Sequence, residues 1–195
     1  MQSISVDKLE EALESDTSVL DCRPTSDFAS SHVPNSISAS INGSYEYMAA
    51  CLFDKKKLLI VIAESGRKSE AILRLDIASF TNLEFFDFKK WKASGNPTSS
   101  MVRFPAKDTT NHLDRMKDVS NAEDWDVLHV KGVSSAPLLD IVTDSGIISE
   151  GDVLYCAYGH KSMAAAAFMA TKGVNVSDIM GGLSAMLVDA PDLKI

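Results

Sequence analysis

The sequence predicts an α/β protein built from two similar halves. Short apolar runs that suit buried strands alternate with segments whose apolar residues have helical spacing. Residues 62–69 of the first half match residues 155–162 of the second half without a gap. Residues 94–100 (Ser-Gly-Asn-Pro-Thr-Ser-Ser) have the composition of a linker. We therefore expect two modules, residues 1–97 and residues 98–195.

Several elements of the first half follow from its apolar pattern. Helical spacing predicts a helix over residues 3–14, with Ser5 as its N-cap. A strand begins at Ser18 and is stopped by Pro24, and Cys22 within it is expected to be a small core residue. The other elements expected here are helices over residues 44–53 and 87–93 and strands over residues 58–62 and 83–86.

The second half is expected to begin with a polar helix near residues 108–117. Its first strand is expected over Trp125–Val130, which places His129 where the first half has Asp21. On this alignment Leu20 to Ile62 spans 42 positions, but Leu128 to Tyr155 spans only 27. The second module is therefore expected to be shortened by about 15 residues of loop.

The strongest chemical signal lies at Cys156. An apolar run, residues 153–155, reads as a buried strand that ends at this cysteine, and an alanine-rich helix follows a short loop. Backbone amides and the helix dipole would favour an anion there, and the thiolate is the nucleophilic form of cysteine. A buried structural cysteine is the alternative.

The residues expected to bind an anion follow the cysteine directly. His160 and Lys161 should add positive charge, and Ser162 should cap the helix through its side chain. The full set of expected loop residues is Ala157, Tyr158, Gly159, His160, Lys161 and Ser162.

This loop resembles the active-site loop of the rhodanese family. That loop runs cysteine, two variable residues, glycine, a variable residue, a basic residue and serine. The family's later pattern is also present, as Gly173-Val174 and Asp178-Ile179-Met180-Gly181-Gly182. The first half resembles the family through Leu20-Asp21-Cys22-Arg23, Asp27-Phe28 and His32-Val33-Pro34.

The resemblance implies a fold and an activity. The fold would be two rhodanese-like modules, each a mostly parallel sheet flanked by helices, with the reactive loop at the carboxyl end of a central strand. Cys156 would be the catalytic residue of a sulfurtransferase, accepting a sulfane sulfur as a persulfide and passing it to a thiophilic acceptor. The partners would be a small-molecule or protein sulfane donor and a thiol acceptor, with no metal or organic cofactor.

The first module is expected to be inactive. Its counterpart loop consists of Ala63, Glu64, Ser65, Gly66, Arg67, Lys68 and Ser69. Ala63 occupies the cysteine position, so no persulfide forms there, and Glu64 adds a negative charge. Elsewhere in this module, Asp21, Arg23 and Asp27 are expected to form a charge network, and His32 is expected to be structural.

Two other functions remain open. Cysteine-dependent phosphatases and arsenate reductases share a cysteine cradle with rhodaneses, but the phosphatase pattern has arginine where this chain has Ser162. The family comparison also implies that the six-residue stretch Cys156–Lys161 suits a sulfur atom, because rhodanese-fold phosphatases use a loop one residue longer. A non-catalytic regulatory or binding module is the second alternative, because this fold tolerates the loss of its cysteine.

Composition limits the partners and the compartment. The net charge of −8 and pI near 4.9 argue against binding to nucleic acid or to anionic membranes. Three scattered cysteines are too few for a disulfide framework, so we expect a reducing, cytoplasmic setting. No apolar run reaches membrane-spanning length, and the start lacks signal-peptide character.

Overall fold

The computed structural model describes residues 2–15, 17–64 and 66–195. The chain divides into two compact units, Met1–Ser100 and Met101–Ile195. Each unit contains a parallel sheet flanked by helices, which confirms the predicted fold class.

The first unit alternates helices and strands around a sheet of order β2-β1-β3-β4. The predicted helices and strands of this unit are all present, and Ser5 accepts the Lys8 N–H as the N-cap of the first helix. The elements are α1 (Val6–Glu14), β1 (Ser18–Asp21), α2 (Thr25–Ser30), β2 (Ile37–Ser38), α3 (Tyr45–Leu52), β3 (Leu59–Ile62), α4 (Lys68–Ile77), β4 (Leu83–Phe86) and α5 (Phe88–Ala93).

The second unit forms a sheet of order β5-β9-β8-β6-β7. Its strands are β5 (Arg103–Phe104), β6 (Met116–Asp118), β7 (Ser134–Ser135), β8 (Val153–Tyr155) and β9 (Ser177–Ile179). Its α-helices are α6 (Ala122–Val127), α7 (Leu138–Thr143), α8 (His160–Thr171) and α9 (Gly182–Asp189), and its 3₁₀ turns are Ala106–Asn111, Leu113–Arg115 and Ser145–Ile147.

Apolar residues of the central strands form the core of each unit. All four residues of β3 and all three of β8 are buried, as their continuous apolar sequences require for strands covered on both faces. In the first unit Ile60 and Ile62 pack with Phe86 and Trp91. In the second unit Val153 and Tyr155 pack with Ile179.

The predicted first strand of the second module is wrong. Residues 122–127 form α6, and the strand that pairs with β8 is β6. Asp21 pairs in register with Ile62, the last residue of β3, and Asp118 pairs with Tyr155, the last residue of β8. Asp118 is therefore the counterpart of Asp21, in place of His129. The expected polar helix near 108–117 is also wrong, because two 3₁₀ turns there lead into β6.

His129 is instead the counterpart of His32. Each imidazole stacks on the aromatic ring four residues earlier, Phe28 at 3.9 Å and Trp125 at 3.8 Å. Each Nδ1 also lies within 2.9 Å of that residue's carbonyl oxygen. The apolar run of Trp125–Val130 suggested a strand, but Trp125 and His129 stack across one turn.

The second module is less shortened than predicted. With Asp118 aligned to Asp21, 37 positions separate it from Tyr155, whereas 41 separate Asp21 from Ile62. The difference is four residues, in place of about 15, because the predicted alignment places the first strand 11 positions too late in the chain. Within the described residues, no helix is both long and apolar enough to span a membrane.

Candidate functional site

Cys156 lies directly after β8 and is 3% exposed. The helix α8 begins four residues later, with Gly159 as its N-cap residue at φ 79°. Only glycine adopts this left-handed conformation without steric cost, so Gly159 allows the sharp turn from strand to helix. The thiol therefore lies beside the N-terminus of a 12-residue helix, where unpaired amides and the helix dipole favour negative charge.

The N-terminus of α9 holds the loop from the other side. The amide N–H of Leu183 donates to the Cys156 carbonyl oxygen, and the amide N–H of Ser184 donates to that of Ala157, both at 2.9 Å. A Cβ at Gly182 would lie 2.0 Å from the Cys156 carbonyl oxygen. The glycine at this position is therefore required for α9 to approach the loop closely enough to make these hydrogen bonds.

Ser162 lies between the thiol and a buried carboxylate. The Cys156 Sγ is 3.8 Å from Ser162 Oγ, which in turn lies 3.3 Å from Asp178 Oδ2. Ser162 is the third residue of α8 and does not cap it, so the predicted capping role is wrong. Its hydroxyl instead links the cysteine to β9.

Arg103 completes this chain of contacts. Its Nε and Nη2 donate to the two oxygens of Asp178 at 2.7 and 2.8 Å, in a nearly buried pair between β5 and β9. Burial raises the pKa of Asp178 above its usual value, and Arg103 opposes that shift. Nη2 of Arg103 would lie 3.5 Å from a Cβ at Gly159, so the guanidinium is next to the loop.

Neither member of this pair is predicted to be a site residue from the sequence alone. Asp178 belongs to the family-like motif Asp178-Ile179-Met180-Gly181-Gly182, and Arg103 belongs to no motif. The signal in the sequence is the aspartate at position 178, a charged residue in a largely buried strand. A buried aspartate requires a cationic or hydrogen-bonding partner, so its presence there indicates that such a partner exists. Nothing in the sequence indicated that Arg103, 75 residues away, would be that partner.

The predicted positive charges near the cysteine are not available as expected. Lys161 is buried and its ammonium pairs with Asp124 at 2.9 Å. Burial, and then the nearby Arg103, lower the pKa of His160, so its imidazole is neutral at pH 7. The lowered pKa favours a neutral His160, against the expectation that it contributes positive charge, and Lys161 is engaged with a carboxylate.

The counterpart loop of the first unit has a different conformation. Ala63 follows β3 as Cys156 follows β8, and Glu64 beside it is exposed. Gly66 does not adopt the left-handed conformation of Gly159, and α4 begins at Lys68 after Arg67 as its N-cap residue. Ser69 lies within α4, whereas Ser65 lies outside the described residues. Arg67 donates to both carboxylate oxygens of Glu70.

The charge network predicted after β1 is present in part. Arg23 pairs with Asp21 at 2.6 Å, donates to the Ser31 carbonyl oxygen and lies over the ring of Phe88. Asp27 instead accepts a hydrogen bond from the hydroxyl of its neighbour in α2. His32 is buried and burial lowers its pKa, in keeping with its predicted structural role.

The remaining cysteines differ from Cys156 in their surroundings. Cys22 is 1% exposed, and burial, then Asp21, raise its pKa to about 12, which confirms the prediction of a core residue. Cys51 in α3 is half-buried. Across residues 2–15, 17–64 and 66–195, no cluster of three or more His, Cys, Asp or Glu residues could hold a metal ion.

Solved structures that resemble the chain include the following three. The Alr3790 protein of Anabaena sp. is 23% identical, with a TM-score of 0.47, over 51% of this chain and 82% of its own. A thiosulfate sulfurtransferase of Pseudomonas aeruginosa is 15% identical, with a TM-score of 0.40, over 95% of this chain and 46% of its own. A variant of EanB in complex with ergothioneine is 14% identical, with a TM-score of 0.48, over 97% of this chain and 61% of its own. With TM-scores below 0.5, these resemblances assign no function.

The sequence match to a known family lies in the first unit. No curated protein matches the chain significantly. Residues 5–93, however, match the sequence profile of the Rhodanese-like domain, which covers α1 through α5 and ends before Cys156. The first unit of this chain is therefore a rhodanese-like domain.

Proposed function

We propose that the protein is a sulfurtransferase in which Cys156 carries the sulfur as a persulfide. The observation that supports this most directly is the position of Cys156 between a buried strand and the N-terminus of α8. The carbonyl groups of Cys156 and Ala157 are bound by amides of α9. The cysteine thus lies where a helix terminus stabilises an anionic sulfur, in a chain whose first unit matches the Rhodanese-like domain.

The transfer takes place in two balanced steps. The Cys156 thiolate attacks the sulfane sulfur of a donor, and the bond between that sulfur and the donor breaks, with the electron pair leaving on the donor. A new S–S bond leaves a persulfide on Cys156. The acceptor then attacks the terminal sulfur, and the electron pair of the broken S–S bond returns to Cys156. Neither step requires a metal or an organic cofactor.

The loop is better suited to a persulfide than to a phosphate. A phosphoryl group has several anionic oxygens, which cysteine phosphatases hold with the planar fork of an arginine. Here Ser162 occupies that position and faces Asp178. The basic residue before it, Lys161, is paired with Asp124. A persulfide carries a single charge on one terminal sulfur, which backbone amides can stabilise.

Intact-protein mass spectrometry tests the proposal. The protein is incubated with thiosulfate, with an inorganic polysulfide and with a peptide persulfide, and its mass is measured before and after addition of cyanide. We expect Cys156 to gain the mass of one sulfur atom and to lose it to cyanide as thiocyanate. Phosphate release from aryl phosphates should be negligible.

Matched cysteine variants locate the chemistry. Cys156→Ser should abolish sulfur loading, whereas Cys22→Ser and Cys51→Ser should retain most of it. Cys22 is the more stringent control, because burial keeps that thiol protonated at neutral pH. Loading that persists in Cys156→Ser would refute the assignment, and Cys156-dependent phosphate release without any persulfide would favour a phosphatase.

A further inference from the structure

A groove of about 380 Å³ begins at the residues that follow Cys156. Ala157 and Tyr158 form one end, and the side walls come from α6 with the residue after it and from α9. Most of its lining is apolar, and the main apolar side chains are Val127, Leu128, Leu183 and Leu187.

The rim of this groove exposes large apolar side chains to solvent. Val127 is 83% exposed, Tyr158 69% and Leu187 50%. Exposed apolar groups that gather around one cleft indicate a surface that binds an apolar partner. Their position beside Cys156 connects that surface to the sulfur chemistry proposed above.

The residues that line the groove make it a poor binding site for a small dianion such as thiosulfate. Asp124 is the only ionisable residue among its lining side chains apart from the phenol of Tyr158. Lys161 forms an ion pair with Asp124, and Arg103 forms one with Asp178. The lowered pKa of His160 leaves its imidazole neutral at pH 7. The sulfonate end of thiosulfate would therefore meet apolar side chains and a carboxylate.

The equivalent groove of the first unit has a different character. It has a volume of about 350 Å³ and lies beside Ala63, the counterpart of Cys156. Its lining contains five charged residues, namely Arg23, Asp27, Glu64, Asp87 and Lys89. The apolar character of the second groove is therefore a property of the unit that holds Cys156 and does not follow from the fold alone.

We propose that the sulfane donor of Cys156 is a cysteine persulfide on a polypeptide, with apolar side chains next to the persulfide that occupy this groove. This inference rests on the proposed sulfurtransferase function. Cys156 attacks the terminal sulfur of the donor persulfide, the donor S–S bond breaks, and the donor cysteine leaves as its thiolate. The apolar neighbours of the donor cysteine contact Val127 and Leu187, and no dianion has to enter beside Asp124.

Single-turnover loading of Cys156 tests the choice of donor. The probes are a synthetic peptide with a cysteine persulfide between leucine and phenylalanine, the same peptide with serines at those two positions, and thiosulfate. At equal concentrations, we expect the apolar peptide to load Cys156 at least roughly tenfold faster than either other donor, since burying one leucine-sized side chain contributes that much.

Surface variants connect the preference to the groove. Leu187→Ser should slow loading by the apolar peptide severalfold more than it slows loading by the serine peptide. Val188→Ser is the matched control, because Val188 is the next residue of α9, is 77% exposed and does not line the groove. Val127→Lys should speed loading by thiosulfate, because it introduces a cation at the rim.

The outcomes separate the two proposals. If no donor transfers sulfur to Cys156, the proposed function itself fails. If thiosulfate loads Cys156 as fast as the apolar peptide, the sulfurtransferase function stands and the polypeptide donor is overturned. If the serine peptide loads Cys156 as fast as the apolar peptide, the sulfurtransferase function stands and the proposed role of the apolar neighbours is overturned. Equal effects of Leu187→Ser and Val188→Ser would likewise overturn the role of the groove.

Discussion

The exchange of Asp178 for asparagine should make Cys156 more reactive at neutral pH. A serine hydroxyl has one proton, and an ionised carboxylate only accepts hydrogen bonds. Ser162 therefore donates to Asp178 and accepts from the Cys156 thiol. In Asp178→Asn the side-chain amide can donate to Ser162, which frees the hydroxyl proton for the sulfur. The substitution also removes a negative charge that disfavours the thiolate.

The size of the charge effect follows from the geometry. Sγ of Cys156 and Oδ2 of Asp178 lie 3.8 and 3.3 Å from Ser162 Oγ, and therefore at most about 7 Å from each other. Two unit charges at that distance repel by about 0.6 kcal/mol at a dielectric constant of 80 and by about 2.4 kcal/mol at 20. The thiolate fraction should therefore rise roughly three- to sixtyfold wherever the thiol predominates.

The assay is the alkylation rate of Cys156 with iodoacetamide across pH, followed by peptide mass spectrometry. The midpoint of the Asp178→Asn profile should move to lower pH, and Ser162→Ala should move it less because no charge changes. Asp178→Asn leaves Arg103 unpaired at a cost of about 3–5 kcal/mol, so a thermal melt must show that the variant is folded. A slower reaction at neutral pH in the folded variant would refute this reasoning and indicate that Asp178 accepts the thiol proton through Ser162.

Three further predictions concern Gly182 beside the Cys156 loop, His32, and the counterpart loop of the first unit. Gly182→Ala should lower Tm and abolish sulfur loading, because its Cβ would overlap a carbonyl oxygen of the loop. Gly173 is also left-handed but has open space around it, so Gly173→Ala should lower the free energy of unfolding by only about 1–2 kcal/mol. Burial lowers the pKa of His32, so below about pH 6.5 the unfolded chain binds a proton that the folded chain does not take up. The stability of the protein should therefore fall as the pH drops through that range. His32→Gln should reduce the difference in Tm between pH 7.5 and pH 5.5. Ala63→Cys should not form a persulfide, and adding Glu64→Ala should speed its alkylation by removing a like charge; an equal rate with and without the carboxylate would contradict the argument.

The sequence was sufficient for elements whose signal is local. The strand before Cys156 and the helix after it follow from a short apolar run and a series of alanines, and both are present. The start of the second module was mispredicted because β6 has only three residues, Met-Lys-Asp, two of them charged. A strand this short and polar carries no periodicity, and its identity comes from pairing with β8. The apolar run around Trp125 is a stronger local signal, and it therefore predicts a strand where the structure has α6.

The part of the site that the sequence did not reveal depends on long-range pairing. Each unit contains a nearly buried aspartate–arginine pair, but the two pairs lie on different strands. In the first unit Asp21 and Arg23 are two residues apart after β1, so a local motif indicates them. In the second unit Ser120 replaces that arginine and its N–H donates to Asp118, while the ion pair joins Arg103 on β5 to Asp178 on β9.

The sheet register explains why this second pair bears on the cysteine. Asp178 pairs with Leu154, and the matching position of the first unit, opposite Val61, is Phe85. Phe85 has no group that could accept a hydrogen bond from the serine of the neighbouring helix, whereas Asp178 accepts one from Ser162. The unit that retains the cysteine is thus also the unit in which a carboxylate replaces an apolar ring beside the loop. If Asp178 acted only in packing, Asp178→Leu would restore the apolar character of that position and leave the alkylation profile of Cys156 unchanged. We expect it instead to shift the profile to lower pH, as Asp178→Asn does.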